Sequence, residues 1–470
     1  MTLANDDALT IARLAPLIRR KKLSPVELFR FVLDRIETFG PGLNAFITVT
    51  ADRALAQAQR AEKEIAKGHH RSPLHGIPIS LKDLFYTAGI PTTAGSKILR
   101  DFMPVENAAV VDRLRDAGAV LVGKTNLHEF AFGATNANPH YGPARNPWDP
   151  SRISGGSSGG SAITVVAGLA VASLGTDTGG SIRIPAAACG CVGLKPTYGR
   201  VPIHGVVPLA RSLDHVGPLC RCVEDSAIML GVIAGADPRD ATSWGSPDTG
   251  SLKEVRRGVR GTRIGVPRQF FFDRLQSQVR RAVLAAVAVL EKDGAEIHEV
   301  TLKGMEETAD LAASITVAEA LAFHWTWLEK RPQDYGDDLR TRLEGSKHMT
   351  AAAYVQAQEK RRAYAERLIQ ALKSVDVLVA PGLPVVAPRI GDNEVKIGRI
   401  REDTRLTLLR LTRPGNLAGL PAISVPCGFS SDGLPVGFQI MGGPREESTV
   451  LRVAYHYEQA TPWHRAFPPL

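Results

Sequence analysis

The chain has 470 residues, of which 44% are hydrophobic, and this is enough apolar material for a large buried core. Its net charge of +9 is compatible with nucleic-acid or membrane contact, but residues 19–22 are the only dense basic run, so we interpret the charge as solvated surface. The chain has no run of 18 apolar residues and no secretory leader, which excludes a spanning helix and predicts a cytoplasmic protein.

The cysteine pattern argues against a metal site. Five cysteines are present, and an odd number is typical of reduced thiols in the cytoplasm: Cys189, Cys191, Cys220, Cys222 and Cys427. Each of the two pairs has one intervening residue, whereas zinc-binding pairs usually have two, and no histidine cluster accompanies them. We therefore expect no metal ion.

The N-terminal region, residues 1–70, is predicted to be a group of helices outside the core. Residues 5–20 carry apolar side chains at helical spacing. Ser24, Pro25 and Glu27 match a capping box with proline in the first turn, which opens a helix to about Phe39. Residues 51–67, rich in alanine and charge, predict another helix.

A short strand in residues 74–83 carries the first candidate catalytic residue. Ile77, Ile79 and Leu81 alternate with smaller residues, which is typical of a strand, and Lys82 stands at its end. Desolvation lowers the pKa of a lysine, so that it can hold a free amine near neutral pH. A helix at 107–117 and a strand at 119–122 follow, and this alternation indicates α/β layering.

Two Gly/Ser-rich turns in residues 154–183 enclose one apolar helix and one strand. The helix, about 158–168, would rise ~15 Å and the strand, about 169–175, would return ~20 Å, so the two turns lie side by side. Ser157 and Ser181 can therefore meet. A serine hydroxyl needs an adjacent base to act as a nucleophile, and Lys82 could accept a proton from Ser157, which in turn accepts one from Ser181.

The same residues have other interpretations. The run Gly155-Gly156-Ser157-Ser158-Gly159 also matches the nucleophile elbow of α/β-hydrolases, but residues 149–152 before it indicate a turn rather than a buried strand. A phosphate-binding loop would need a Gly-Lys-Ser/Thr ending, which is missing. Ser158 and Ser161 are expected to cap or line the helix N-terminus, and a role for Ser158 in the catalytic network stays open.

The rest of the chain continues the α/β pattern. The predicted elements are a helix at 225–236, a polar surface connection at 238–260, a strand at 263–266, a helix at 279–290, a strand at 296–300, mostly helix at 304–372, strands at 375–380, 423–425 and 436–440, and a helix at 446–458. Some aromatic residues of the helical segment belong either to the helix core or to a substrate pocket, and those singled out are His324, Trp325, Trp327 and Tyr335.

The chain resembles the amidase signature family in the order and spacing of its motifs. These are Lys82-Asp83 at the strand end, the glycine and serine run at 155–161, the run at 175–183, and the segments 123–131, 146–148, 189–200, 416–422 and 433–437. The resemblance extends from about Leu74 to about Gly442 and is weaker between 240 and 372.

The resemblance implies a Ser-Ser-Lys triad. Ser181 would be the nucleophile, Ser157 the bridging serine on a cis peptide bond after Gly156, and Lys82 the base. The resemblance also implies an oxyanion hole, which runs of small residues can form, and a set of supporting residues: Thr178, Gly179, Gly180 and Ser181 for the hole, and Gly156, Ser158, Asp177 and Arg183 as support.

The implied fold is α/β, with a large mixed β-sheet covered by helices on both faces. We expect one domain, 1–470, with N-terminal helices (1–70), a catalytic core (74–235), a variable helical pocket insert (304–372) and a C-terminal part of the core (373–470). The implied activity is hydrolysis of amide C–N bonds of small molecules, with carbamates (a urethanase), esters and urea derivatives also open. No cofactor, nucleic acid or membrane is expected, and a homodimer is left open.

Two rival functions remain. The A subunit of the tRNA-dependent amidotransferase, which hydrolyses glutamine, resembles this chain in the triad and in residues 195–200. It also has a Tyr-Asp-Gly-Val-Arg-Tyr-Gly segment, for which Asp334-Tyr335-Gly336 is the nearest match here, so the sequence favours the small-molecule amidase. A non-catalytic binding protein is the second rival, and the intact triad positions disfavour it.

Overall fold

The computed structural model describes residues 9–245 and 252–470. The predicted helix at 5–20 therefore lies partly outside the described residues, and its described part is the first helix below. The helices are α1 (Ile11–Arg19), α2 (Pro25–Leu43), α3 (Ala51–Ala66), α4 (Ala109–Asp116), α5 (Gly159–Val166), α6 (Arg183–Cys189), α7 (Val223–Ile233), α8 (Leu252–Val255), α9 (Arg268–Phe271), α10 (Ser277–Lys292), α11 (Thr308–Lys330), α12 (Asp337–Gly345), α13 (Ala351–Leu372), α14 (Thr404–Arg410), α15 (Arg413–Leu417) and α16 (Glu447–Gln459).

Among the described residues, the strands fall into one large sheet and three small hairpins. They are β1 (Phe46–Val49), β2 (Pro78–Lys82), β3 (Val120–Thr125), β4 (Ala137–Asn138), β5 (Gly142–Pro143), β6 (Arg145–Asn146), β7 (Asp149–Ile153), β8 (Ala172–Thr176), β9 (Val192–Lys195), β10 (Val216–Cys220), β11 (Arg263–Val266), β12 (Glu296–Glu299), β13 (Val377–Pro381), β14 (Glu394–Ile397), β15 (Ile400–Asp403), β16 (Ala422–Phe429) and β17 (Pro435–Gly442).

The large sheet has 11 strands in the order β1-β3-β2-β8-β10-β9-β16-β17-β13-β11-β12. Strand β2 runs parallel to β3 and β8, whereas β10, β9, β16 and β17 form an antiparallel series between β8 and β13. The central strands are buried along their whole length, which is why their sequences are apolar without strict alternation. The predicted mixed α/β fold is confirmed.

Local sequence signals account for several element boundaries. Helix α2 begins with the predicted capping box, in which the Ser24 hydroxyl accepts hydrogen bonds from the N–H groups of Val26 and Glu27. Helix α3 buries one alanine-rich stripe against β3, because Ala54, Ala58 and Ala61 recur at helical spacing. None of the helices in the described part of the chain is long and apolar enough to cross a bilayer.

Some predicted elements differ from the structure. The turn predicted at 149–152 is strand β7, which pairs with β6 in a hairpin. Strand β10 was not predicted, because Gly217 and Pro218 are residue types that are disfavoured in strands. It nevertheless pairs with β8 along five residues. Strand β8 starts three residues later than the predicted start at Leu169, since residues 169–171 connect it to α5. The predicted connection at 238–260 contains the short helix α8.

Candidate active site

The site begins at the carboxyl ends of two adjacent parallel strands. Strand β2 ends at Lys82 and strand β8 ends at Thr176, so both side chains lie at the same edge of the sheet. The Lys82 Nζ is 2.7 Å from the Thr176 Oγ1 and 2.7 Å from the Ser157 Oγ. The fold therefore brings the predicted base to the predicted bridging serine, 75 residues away in the chain.

The environment of Lys82 favours a neutral amine. Its side chain is fully buried, and no carboxylate forms an ion pair with it within residues 9–245 and 252–470. Burial lowers the pKa of Lys82 from 10.5 to about 7, although the negative charges of Asp214 and Asp177 partly oppose this. A neutral amine has one lone pair, so it can donate to Thr176 while accepting a proton from the Ser157 hydroxyl.

The two predicted catalytic serines lie on adjacent turns. The Gly156–Ser157 peptide bond is cis, and the N–H of Ser158 donates to the carbonyl of Ser181 at 3.2 Å. No hydrogen bond joins the Ser157 and Ser181 hydroxyls in the described part of the chain. The hydrogen bond from Lys82 to Ser157 is thus formed, whereas the one from Ser157 to Ser181 is not.

The N–H groups of residues 178–181 are free to bind an anion. None of the four donates to another atom among the residues that the structure describes. Gly180 adopts a φ of +136°, and a Cβ there would collide with the Thr412 side chain. The Thr412 hydroxyl donates to the Gly179 carbonyl at 2.6 Å and fixes this loop. These groups have the arrangement that an oxyanion hole requires.

A buried ion pair supports the loop. The Arg183 guanidinium binds both carboxylate oxygens of Asp177 at 3.1 Å, and the Asn416 amide donates to Asp177 at 2.7 Å. Burial raises the pKa of Asp177, but the charge and hydrogen bonds of Arg183 outweigh it and hold that pKa well below its usual range. Asn416 therefore ties the loop to α15, a contact that the sequence did not predict.

Asp214 is a second residue that sequence reasoning missed, because it was seen only as part of a loop motif. Its carboxylate accepts a hydrogen bond of 2.6 Å from the Thr178 hydroxyl and further bonds from the N–H groups of Leu209 and Ala210. Burial raises the pKa of Asp214 to about 6. Asp214 thus positions Thr178 and contributes a negative charge that acts on Lys82.

Ser158 and Ser161 line the start of α5 but form no helix cap. The hydroxyl of Ser158 donates to the carbonyl of Thr176, and that of Ser161 donates to the carbonyl of Leu174, each at 3.1 Å. The expected capping bond of Ser158 is absent, because its side chain faces β8 instead. Both serines therefore hold α5 against the strand that ends beside Lys82.

A cavity of about 450 Å³ opens over Ser181. Its inner wall is formed by Ser181, Thr178 and Gly179. Its outer wall combines small residues of α11 with charged residues of α11, α12, α14 and α15: Ala309, Ala312, Ala313, Thr316, Asp310, Arg342, Arg405 and Arg413. None of these charged residues was singled out by the sequence, since they lie far apart in it.

The aromatic residues of the helical insert do not line this cavity. His324 and Tyr335 are buried, and the Nδ1 of His324 lies 3.0 Å from the Tyr335 hydroxyl. The ring of Phe130 packs edge-on against His324. Trp325 is instead 44% exposed. Trp327 packs against Phe130 and His324 in the same cluster. The insert therefore lines the cavity through the small side chains of α11, and three of the four aromatic residues belong to the cluster around Phe130.

Comparisons with known proteins agree on the family. The sequence model described as Amidase matches residues 27–451. A relative from Geobacter sp. (strain M21), the A subunit of glutamyl-tRNA(Gln) amidotransferase, is 42% identical over 98% of this chain and 99% of its own. The Thermotoga maritima structure of the same protein is 35% identical, with a TM-score of 0.83 over 100% of this chain and 98% of the other.

Another solved structure is also similar to this chain. It is described as an unexpected vestigial protein complex that reveals the evolutionary origins of an s-triazine catabolic enzyme. It is 36% identical, with a TM-score of 0.91 over 96% of this chain and 98% of the other. The resemblance to the amidase signature family is thus confirmed, and the chain is an amidase-family enzyme.

Two predictions from the sequence are wrong in light of these relatives. The predicted stand-alone hydrolase of small-molecule amides is contradicted, because the curated relatives at 42% identity are subunits of an amidotransferase. The predicted absence of nucleic acid among the partners, together with the predicted small-molecule substrate, is contradicted by the same relatives, whose name specifies glutamyl-tRNA(Gln). None of these relatives supports the predicted carbamate or urethane hydrolysis.

The local departure near Tyr335 explains the error. The prediction relied on that one short motif, whereas the similarity over the whole chain outweighs it.

Proposed function

This chain belongs to the amidase signature family, and on that premise we propose that it is the glutamine-hydrolysing A subunit of a tRNA-dependent amidotransferase. Full-length similarity to proteins of that name supports the assignment. The observation that carries the chemistry is the hydrogen bond of 2.7 Å between the buried Lys82 amine and Ser157, beside a loop with four free N–H groups.

In the proposed acylation step, the Ser181 Oγ attacks the side-chain carboxamide carbon of glutamine. Ser157 accepts the proton of Ser181 and passes its own proton to Lys82. The carbonyl oxygen becomes an oxyanion, which the N–H groups of residues 178–181 stabilise. The C–N bond then breaks, and the nitrogen leaves as ammonia after receiving the proton back through Ser157. A glutamyl ester on Ser181 is left.

In the proposed deacylation step, water replaces ammonia. Lys82 and Ser157 remove a proton from the water, its oxygen attacks the ester carbon, and the tetrahedral intermediate again uses the oxyanion hole. The ester C–O bond breaks, Ser181 regains its proton and glutamate leaves. The overall reaction converts glutamine and water to glutamate and ammonia, and the ammonia would amidate glutamyl-tRNA in the assembled enzyme.

The roles of the surrounding residues follow from their contacts. Asp177 and Arg183 hold the oxyanion loop without touching the substrate, since both are fully buried behind it. Residues 1–470 are proposed to act as one domain, because β1 near the start and β17 near the end of the chain belong to the same large sheet. The partners are proposed to be further subunits that bind the tRNA, as the relatives are named as one subunit of several.

The decisive experiment isolates the tagged full chain with its bound partners from its own source cells. The complex is given glutamyl-tRNA(Gln), and conversion to glutaminyl-tRNA is measured with glutamine or with ammonium chloride as the nitrogen donor. Wild type should use both donors. The Ser181→Ala variant should lose the glutamine reaction and keep the ammonia reaction, because free ammonia bypasses the acyl-enzyme.

The comparison of the two nitrogen donors separates a loss of glutamine hydrolysis from a failure of the complex to assemble. A Ser181→Ala complex that still uses glutamine would contradict the proposed nucleophile. A wild-type complex that converts no glutamyl-tRNA with either donor would contradict the proposed function.

A further inference from the structure

Arg413 is a buried cation without a partner in the candidate active site. It is only 7% exposed and lines the same cavity as Ser181. Its guanidinium forms no hydrogen bond and no ion pair in residues 9–245 and 252–470. An arginine side chain is rarely buried unless it is paired, because desolvation of the charge is costly. Its partner is therefore expected to come from outside the chain.

The position of Arg413 is fixed relative to the oxyanion loop. A Cβ built on Gly179 would lie 3.9 Å from the Arg413 Cγ, so the arginine stem lies directly beside that loop. Thr412, the preceding residue, donates to the Gly179 carbonyl at 2.6 Å. Asn416, at the other end of the same helical turn, donates to Asp177. Helix α15 thus holds the stem of Arg413 beside the loop that carries Ser181.

The neighbouring charges leave this part of the cavity positive. Arg405 is half-buried, has an Nε without a hydrogen-bond partner and lies 5.8 Å from the centre of the Phe132 ring. Arg342 also lines the cavity, but it already has partners within the protein, because it donates to the Phe132 carbonyl and pairs with Asp338. Burial lowers the pKa of Arg413 to about 10, and the charge of Arg405 contributes to this lowering, so the guanidinium still stays charged at neutral pH.

Two acidic residues act electrostatically on Arg413, namely Asp310 on α11 and Asp403 at the end of β15. Asp310 is exposed, lines the cavity from α11 and acts electrostatically on Arg413. Leu406 and Leu409 add apolar surface to the lining of the same cavity. The lining of the cavity therefore combines Ser181 with a buried guanidinium, an exposed carboxylate and apolar surface.

We propose that Arg413 binds a carboxylate of the substrate and so selects amides that carry an anionic group. A planar guanidinium can bind a carboxylate through two parallel hydrogen bonds, which fixes orientation as well as affinity. This inference rests on the proposed function, since in glutamine the group would be the α-carboxylate, and Asp310 would face the α-ammonium. Arg413 is then a specificity-determining residue for the amide that Ser181 attacks.

Two amides of equal chain length test the inference. Glutaramate, the monoamide of glutaric acid, has a carboxylate where pentanamide has a methyl group. Their binding to the full chain is measured by calorimetry in the Ser181→Ala variant, which prevents turnover. Glutaramate should bind at least about tenfold more tightly than pentanamide, in keeping with a charge-assisted hydrogen bond.

The preference should depend on Arg413. In the Ser181→Ala background, Arg413→Met should weaken glutaramate binding at least about tenfold and change pentanamide binding less than about twofold. Arg413→Lys should keep part of the preference, because the charge remains and the bidentate geometry is lost. The matched control is Arg401→Met on β15, whose side chain is 75% exposed and should affect neither ligand.

Misfolding of the variant can be recognised. Arg413 has no partner within the described protein, so Arg413→Met leaves no orphaned group and should not lower the melting temperature. Equal affinity for the two amides, no binding of glutaramate, or an unchanged preference in Arg413→Met each overturns the inference.

The result that would contradict the proposed function differs from the results that would contradict the role of Arg413. If wild-type enzyme releases no ammonia from glutamine but prefers glutaramate through Arg413, the substrate proposal is wrong and the role of Arg413 stands. If glutamine is hydrolysed and Arg413→Met keeps the preference, the reverse holds.

Discussion

The titration of Lys82 should govern how amide hydrolysis depends on pH. Its pKa is lowered from 10.5 to about 7 because the side chain is fully buried and pairs with two hydroxyls instead of a carboxylate. This difference corresponds to ~5 kcal/mol by which burial disfavours the ammonium relative to the free amine. Only the free amine can accept the proton that Ser157 passes on.

The expected profile follows from that value. With a pKa of about 7, roughly half of the enzyme has a free amine at pH 7 and roughly nine-tenths at pH 8. Below pH 6 the active fraction falls about tenfold for each pH unit. We therefore expect kcat/KM to be flat above about pH 8 and to fall with a slope of one below about pH 6.

The assay is ammonia release from glutamine between pH 5 and 9, with Asp214→Asn as the comparison. The Asp214 carboxylate favours the charged form of Lys82, so its removal should move the acid limb to lower pH. Burial raises the pKa of Asp214 to about 6, so the acid limb of the wild-type pH profile reflects the coupled titration of Lys82 and Asp214. Lys82→Met should lower kcat/KM by ~10³-fold or more across the range.

Stability gives an independent measurement of the same group. The folded state binds fewer protons at Lys82 than the unfolded state between pH 7 and 10.5, so this residue makes the free energy of unfolding rise with pH in that window. Below pH 7 its unfavourable contribution is constant, and above 10.5 it vanishes. Urea unfolding of wild type minus Lys82→Met should show this rise, up to ~5 kcal/mol.

A flat kcat/KM from pH 5.5 to 8.5 would refute this reasoning. So would an acid limb that stays in place in Asp214→Asn, or a Lys82→Met variant that retains a tenth of the activity.

Three further predictions concern the two turns and their support. Ser181→Ala and Ser157→Ala should each lower kcat by ~10³-fold or more, and the double variant should be little worse than either, because the residues act as a unit. A double variant whose loss in single-turnover assays equals the product of the two single losses would contradict the relay. Arg183→Met should lower the free energy of unfolding by ~3–5 kcal/mol in urea titrations, since it leaves a buried carboxylate unpaired; a loss below ~1 kcal/mol would show that the pair is dispensable. Gly180→Ala should reduce kcat ~10²-fold or more, because a Cβ collides with Thr412 and displaces the oxyanion loop; unchanged kcat in folded protein would argue against this hole.

Local signals made much of the catalytic loop predictable. The glycine and serine turns around Ser157 and Ser181 are contiguous in sequence, and an apolar helix and strand of matching length join them. The capping box of α2 was equally clear, because its three residues interact within one turn. Strand β10 was not predicted, since its glycine and proline are disfavoured in strands and only its pairing with β8 stabilises it.

By itself, the sequence determined the family, the α/β class and the residue types for acyl transfer, since short contiguous motifs carry all three. The tertiary structure decided how Lys82 meets Ser157 and Thr176, because the burial and strand pairing that bring its pKa to about 7 come from segments 75 to 94 residues away. It also decided the cavity, where charged side chains from α11, α12, α14 and α15 converge over Ser181. The interaction energy of a charge depends on its distance from other groups and on its solvent exposure, and both are set only when the chain is folded.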